Sequence, residues 1–185
     1  ISHLASQFPV YDVRVLLNNS NKEEERVIDP PLIWATYYGG SAYDGPLDIT
    51  TDYLGNVYIC GYHFSSDLPV LNPGNGAYFG AFTGADAFIT KFSNSGVLLW
   101  ATHYGGNGAG EFASAVTTDL SGNLFVTGYS NSTDLSPLNA LVNAGGYYQP
   151  ANAGGTYDGF ILRFNSNSVL TWGTYYGGAG DDQPL

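Results

Sequence analysis

The chain has one cysteine, Cys60, and no methionine in 185 residues. A lone cysteine excludes an internal disulfide and any zinc site built on several thiolates. Basic residues are scarce: five Lys and Arg stand against sixteen Asp and Glu, a formal charge of −11. Phosphate recognition needs clustered cations, so no nucleic-acid partner is expected, and an anionic membrane surface is disfavoured for the same reason. Charged residues make up only 11% of the chain, against about 25% in an ordinary soluble domain. No apolar run reaches the roughly 18 residues of a membrane span, and the opening residues do not read as a signal peptide, so direct membrane insertion is not expected. There is no G-x-S-x-G elbow, Walker loop or H-E-x-x-H motif.

What the chain does have is glycine (25) and tyrosine (15), within a 44% hydrophobic composition. That suits a turn-rich β protein with enough apolar mass for a core. An internal repeat organises it. WATYYGG at residues 34–40 recurs as WATHYGG at 100–106 and WGTYYGG at 172–178. ITTDYLGNVYICGY (49–62) matches VTTDLSGNLFVTGY (116–129), SSDLP (65–69) matches STDLS (132–136), and DAFITKF (86–92) matches DGFILRF (158–164). Insertions fall between these blocks in Gly- and Asn-rich stretches that read as loops.

Each unit holds four short runs rich in β-branched and aromatic residues, bounded by Gly, Asn, Asp or Ser, and these read as strands. Asp52, Gly55 and Asn56, with their equivalents Asp119, Gly122 and Asn123, form a tight-turn pattern: the aspartate accepts backbone N–H bonds and the glycine supplies a left-handed residue. Phe88, Ile89 and Phe92, like Leu124, Phe125 and Val126, put apolar side chains on both faces of a strand. A sheet with two apolar faces needs a neighbour on each side. The expected fold class is therefore all-β, with β-propeller-type four-stranded antiparallel blades.

These motifs resemble the SBBP, or β-propeller, repeat family of bacterial secreted and surface proteins. The resemblance covers about residues 32–185 and rests on W-A-T-Y-Y-G-G, D-x-x-G-N-x-Y/F-x-x-G-Y, S-S/T-D-L and D-A/G-F-I-x-K/R-F. It implies a propeller-like fold at an extracellular or bacterial cell-surface location, usually within a much longer chain, and no catalytic residues. Two full repeats and a partial third, starting near Trp34, Trp100 and Trp172, are too few to close a ring of four to eight blades. The expectation is a fragment of a larger propeller, completed by the remaining blades of the parent chain or by neighbouring subunits. Residues 1–33 differ from the rest. Tyr11, Val13, Val15 and Leu17 alternate as a strand, followed by the charged linker NNSNKEEER (18–26). This segment either completes the first blade or ends a preceding domain.

A feature present in every unit serves the fold more readily than catalysis. Asp67 and Asp134, and Asp86 and Asp158, recur at strand ends and read as caps. A calcium site is the sharper alternative, with Asp44, Asp48, Glu111, Asp181 and Asp182 as further donors, although no EF-hand-like loop supplies the six to eight oxygens that calcium takes. No other cofactor is implied. Lys91 and Arg163 lie in apolar strands and are expected to pair with a carboxylate or to reach the blade edge. His3, His63 and His103 form no evident constellation. His103 replaces the tyrosine found at 37 and 175, His63 corresponds to Ser130, and Cys60 corresponds to Thr127. The Gly-Gly pairs are expected to allow positive φ or close backbone approach. Asn131-Ser132-Thr133 is a glycosylation triplet.

The variable insertions carry aromatics: Tyr78, Phe79 and Phe82 in the first, Tyr147, Tyr148 and Tyr157 in the second. Exposed, they suit stacking on sugar rings or docking of a partner; turned inward, they cap the core. Three functions follow. The leading one is a non-enzymatic scaffold for protein interaction or adhesion. The others are a carbohydrate-binding module using these aromatics, and part of a propeller glycosidase or lyase with its site outside this chain.

Overall fold

The structure, a computed structural model, describes residues 31–108, 110–135 and 147–184. The chain divides into two compact units, residues 1–35 and 36–185. In the first, residues 31–35 carry no regular element; the strand expected over 11–17 and the linker over 18–26 lie outside the described residues.

Among its described residues the second unit holds eight strands and no helix. They are β1 (Asp44–Thr51), β2 (Val57–His63), β3 (Asp86–Phe92), β4 (Leu98–Tyr104), β5 (Glu111–Thr118), β6 (Leu124–Ser130), β7 (Asp158–Phe164) and β8 (Leu170–Tyr176). They form two antiparallel four-stranded sheets in sequence order, β1-β2-β3-β4 and β5-β6-β7-β8. The two sheets repeat down to their irregularities. The register shifts between Pro46 and Asp48 and again between Ala113 and Ala115, and between Lys91 and Phe92 and again between Arg163 and Phe164.

The phase of the sheets differs from that of the sequence units. Two of the three Trp-containing runs close a sheet instead of opening one: Trp100 lies in β4 and Trp172 in β8. The run at 172–178, read as the start of a third unit, is the outer strand of the second sheet. The connector after it follows the path of the earlier one. Asp182 N donates to Tyr157 O at 2.8 Å, as Glu111 N donates to Ala85 O at 3.1 Å.

The core lies between the two sheets. One face of the first sheet offers Tyr58, Cys60, Ala87, Ile89, Trp100 and Tyr104; the facing side of the second offers Ala113, Val116, Leu124, Val126, Phe160, Leu162 and Phe164. Trp100 meets Phe164 at 5.3 Å between ring centroids and Tyr104 meets Phe160 at 5.4 Å. The Cys60 thiol donates to Ala113 O at 3.3 Å, and its pKa is pushed up to about 12 by burial, with Asp48's charge adding. Cys60 is therefore an unreactive filler at the sheet interface.

The opposite face of the first sheet is covered at Phe88 and Phe92 by Tyr38, with both centroid distances 5.8 Å. Tyr38 is the repeat equivalent of Tyr104, and Phe88 of Phe160. The 36–40 run thus sits on the first sheet as β4 sits on the second, although it is not itself in a strand.

Candidate functional site: the strand-end rim and the open sheet faces

The hairpin apices are built on carboxylates. Asp52 Oδ1 accepts from Leu54 N and Asn56 N, both at 2.9 Å, and Oδ2 accepts from Asn56 Nδ2 at 2.8 Å. Asp119 repeats the set with Ser121 N, Asn123 N and Asn123 Nδ2. Gly55 (φ 77°) and Gly122 (φ 75°) supply the left-handed residue that an L side chain resists. Burial alone would raise the Asp52 carboxyl pKa, but its four hydrogen bonds win and hold it below the ordinary value.

A second recurring device holds each Gly-Gly connector to the strand-end rim. In the first unit Asp44 Oδ2 accepts from Gly40 N (2.6 Å) and Ser65 Oγ (2.8 Å), while Asp67 Oδ1 accepts from Ser41 N (2.8 Å). In the second, Glu111 Oε1 accepts from the Ser130 and Ser132 hydroxyls and Asp134 Oδ1 accepts from Asn107 N (2.6 Å). Asp182 Oδ2 accepts from Gly178 N at 2.7 Å in the third copy. The glycines serve close approach: a Cβ on Gly40 would lie 2.5 Å from Asp67 Oδ1, and one on Gly106 would lie 2.6 Å from Asp134 Oδ1.

Each of these acidic residues thus accepts from N–H or O–H donors, while Asp44 Oδ1 and Glu111 Oε2 are buried with no partner among the described residues. Among the described residues no group of three or more His, Cys, Asp or Glu is placed to hold a metal.

The histidines overturn the expectation of no constellation. His63 and His103 sit side by side, His63 Nε2 to His103 Nδ1 at 2.9 Å, with His63 Nδ1 at 3.1 Å from Ser65 O. The second sheet solves the same corner with one residue: Tyr175 OH donates to Ser132 O at 2.7 Å. A histidine at 103 is too short for that reach, and a second histidine at 63 spans the gap. The signal was available in the sequence as two departures from the repeat, Tyr to His at 103 and Ser to His at 63, both at the same corner. Read singly, each looked like an ordinary strand substitution.

The cations lie over aromatic rings. Lys91 Nζ donates to Ser166 O at 3.3 Å and lies over the Tyr58 ring; burial lowers its pKa. Arg163 lies over the Phe125 ring. Its charge adds to the Asn123 side-chain bond that chiefly holds the Asp119 carboxyl pKa below its ordinary value. Each cation therefore sets its charged head over an aromatic ring of its own sheet, and Lys91 is bonded to a carbonyl of the β7–β8 turn.

Of the loop aromatics, Tyr78, Phe82 and Tyr157 turn inward. Tyr78 lies 5.8 Å from the Tyr104 ring and its carbonyl accepts from Trp100 Nε1. Phe82 packs at a tilt against both imidazoles, and Tyr157 packs edge-on against Tyr129. Tyr148 is half-buried. Phe79 and Tyr147 are exposed, with Tyr147 beside Tyr176 at 5.9 Å.

The sheets leave two faces open. Tyr104 is 0% exposed against the second sheet, while its equivalent Tyr176 is 63% exposed. Trp172, Ile161, Thr127 and Phe125 are likewise only partly buried where Trp100, Ile89, Cys60 and Tyr58 are enclosed. On the far side of the first sheet, Ile49 is 62% exposed where its equivalent Val116 is 6% exposed. The open face of the second sheet carries a groove of about 710 Å³ lined by Tyr147, Ile161, Tyr176, Asp182 and Gln183, among others.

The family model for SBBP, a beta-propeller repeat, matches residues 33–62 and 99–136. The chain carries SBBP β-propeller repeats. Each matched SBBP stretch begins at a Trp run and continues through the next two strands. In the second, it joins the closing strand of one sheet to the opening strands of the next, so the SBBP unit of sequence is the junction between blades. No curated protein matches the chain.

Proposed function

We propose that the chain is a non-enzymatic scaffold segment that works by stacking. Its two open faces receive further blades, supplied by the parent chain or by neighbouring subunits, in a secreted or cell-surface protein of a bacterium. The observation that carries this reading is the pair Tyr104 and Tyr176: one residue type at one repeat position, enclosed in the first sheet and bare in the second. Trp172, Ile161 and Phe125 share the face of Tyr176 as their equivalents share that of Tyr104. A face carrying Phe125, Ile161, Trp172 and Tyr176 suits burial against another blade better than lasting contact with water. The recurring carboxylates support a structural role, since each already receives backbone or hydroxyl donors. The location is the one implied by the family resemblance.

Sedimentation velocity over a range of chain concentrations tests the stacking. The expected result is association that Ile161→Lys abolishes without changing the far-UV spectrum. Association that survives Ile161→Lys would overturn the proposed use of this face.

A second reading rests on the groove itself. Tyr147 and Tyr176 present ring faces beside the Asp182 carboxylate and the Gln183 amide, a combination that suits a sugar ring and its hydroxyls. Glycan binding lost on Tyr147→Ala supports that use; a glycan array with no response removes it.

A further inference from the structure

At the His63–His103 pair the two sheets use different chemistry for the same task. Both imidazoles are buried, at 0% and 6% exposure. Ser65 O can only accept, so neutral His63 carries its proton on Nδ1 and leaves Nε2 bare. His103 Nδ1–H then donates to it. The chain of bonds runs His103, His63, Ser65 O, and stands where the Tyr175 hydroxyl meets Ser132 O directly.

The pair also holds a loop. The Phe82 ring lies 5.2 Å from the His63 ring and 5.7 Å from that of His103. Gly80 bridges to His103 through the backbone, and Gly80 N donates to Thr102 Oγ1 at 2.9 Å. The second sheet repeats this last contact with Gln149 N on Thr174 Oγ1 at 2.8 Å, beside Tyr175.

We propose that the His63–His103 pair is an acid-released latch, which holds the Phe82 loop on the first sheet at neutral pH and lets it go when the imidazoles protonate. One proton can be shared along the N–N axis. A second sets two N–H groups against each other in a buried site, and the bond is lost. The acidic groups acting on the pair are Asp86 from β3 and Asp44 from β1; both accept hydrogen bonds from other donors, and Asp44 Oδ1 is buried with no partner among the described residues. Asp86 accepts from Thr83 N and Thr83 Oγ1; Asp44 accepts from Gly40 N and Ser65 Oγ. Burial outweighs their attraction and holds both imidazoles below the ordinary histidine pKa, with His63's charge adding at His103.

The sign follows. The unfolded chain takes up protons at about pH 6.5, before the folded chain does, so stability contributed at this corner is complete above that value and falls as pH drops below it. Nothing comparable acts at Tyr175, which stays neutral across this range.

Amide hydrogen exchange, corrected for intrinsic rates, compares Gly80 with Gln149 at about pH 7.5 and about pH 5.5. The expected result is that Gly80 loses protection at the lower pH, by about tenfold for each unit of pKa offset, while Gln149 keeps its own. The double variant His63→Ser with His103→Tyr, which installs the second sheet's solution, should remove the difference. Imidazole proton titration of the unaltered chain reads the same pair where the variant fails to fold, and both buried rings should titrate below the ordinary value. Equal behaviour of Gly80 and Gln149 at both pH values, or two rings titrating normally, would overturn the latch.

Discussion

The Tyr104 ring packs on Phe160 across the sheet interface with centroids 5.4 Å apart, yet its hydroxyl is buried without a hydrogen-bond partner among the described residues. Its ring and its hydroxyl therefore act in opposite directions on stability. Tyr104→Ala should cost about 3–5 kcal/mol, the usual range for emptying a buried aromatic site. Tyr104→Phe keeps the ring and removes an unsatisfied polar group, so its melting temperature should equal or exceed that of the unaltered chain. Tyr176→Ala, at the equivalent but exposed position, should stay within about 0.5 kcal/mol. Thermal unfolding of the three variants checks all of these.

Glu111 supplies a second prediction. Oε1 takes both serine hydroxyls and Oε2 is buried with no partner among the described residues. Burial raises its carboxyl pKa, against the two serine bonds that lower it. A carboxyl whose folded pKa exceeds its unfolded one weakens the fold as pH rises through that window. Glu111→Gln should therefore match or raise the neutral-pH melting temperature, with a smaller gain near pH 4.5, an ordinary carboxyl pKa. Glu111→Ala, which strands Ser130 and Ser132, should lower it.

The hairpin glycines give a third. Gly55 and Gly122 both have φ near 75°, where a side chain is strained. Gly122→Ala should cost about 1 kcal/mol, read from the denaturant midpoint. In the same hairpins Asp52 and Asp119 have lowered carboxyl pKa values. Their stabilisation is present above about pH 4 and fades as pH falls through the folded pKa. Acid unfolding of Asp119→Asn should accordingly begin from a lower starting stability and show a shallower pH slope.

A fourth concerns cations. Asp44, Asp52, Asp67, Asp119 and Asp134 each accept at least one backbone N–H. Carboxylates held this way do not need calcium for their charge. A chelator should leave the melting temperature unchanged, and a drop of several degrees on chelation would reveal a calcium site that this arrangement does not require.

The strands were legible because their residue types alternate between Gly- and Asn-marked turns, and the tight apices at Asp52 and Asp119 carry their own hydrogen-bond chemistry in sequence. The phase of the sheets was not. A periodic sequence has no marked start, and Trp100 looks equally like a first or a last strand. What decides it is that the Gly105-Gly106 connector after the Trp100 run is a crossing between sheets, latched by Asp134, and not a hairpin. The direction of the loop aromatics was equally hidden: Phe82 turns inward because two imidazoles, 40 residues apart, offer it a surface.

The central claim is that these sheets are two-sided and gain stability from each neighbour. Leu185 aligns with Leu47, so a tandem chain in which residues 48–185 follow Leu185 continues the repeat in register. Denaturant unfolding of this tandem, beside the single chain at the same low concentration, tests the claim most directly. The account predicts a higher midpoint for the tandem, as expected when nearest-neighbour interfaces add to repeat stability, with Ile161→Lys in its first copy returning the midpoint to that of the single chain. Identical midpoints for the single chain, the tandem and the variant would contradict it.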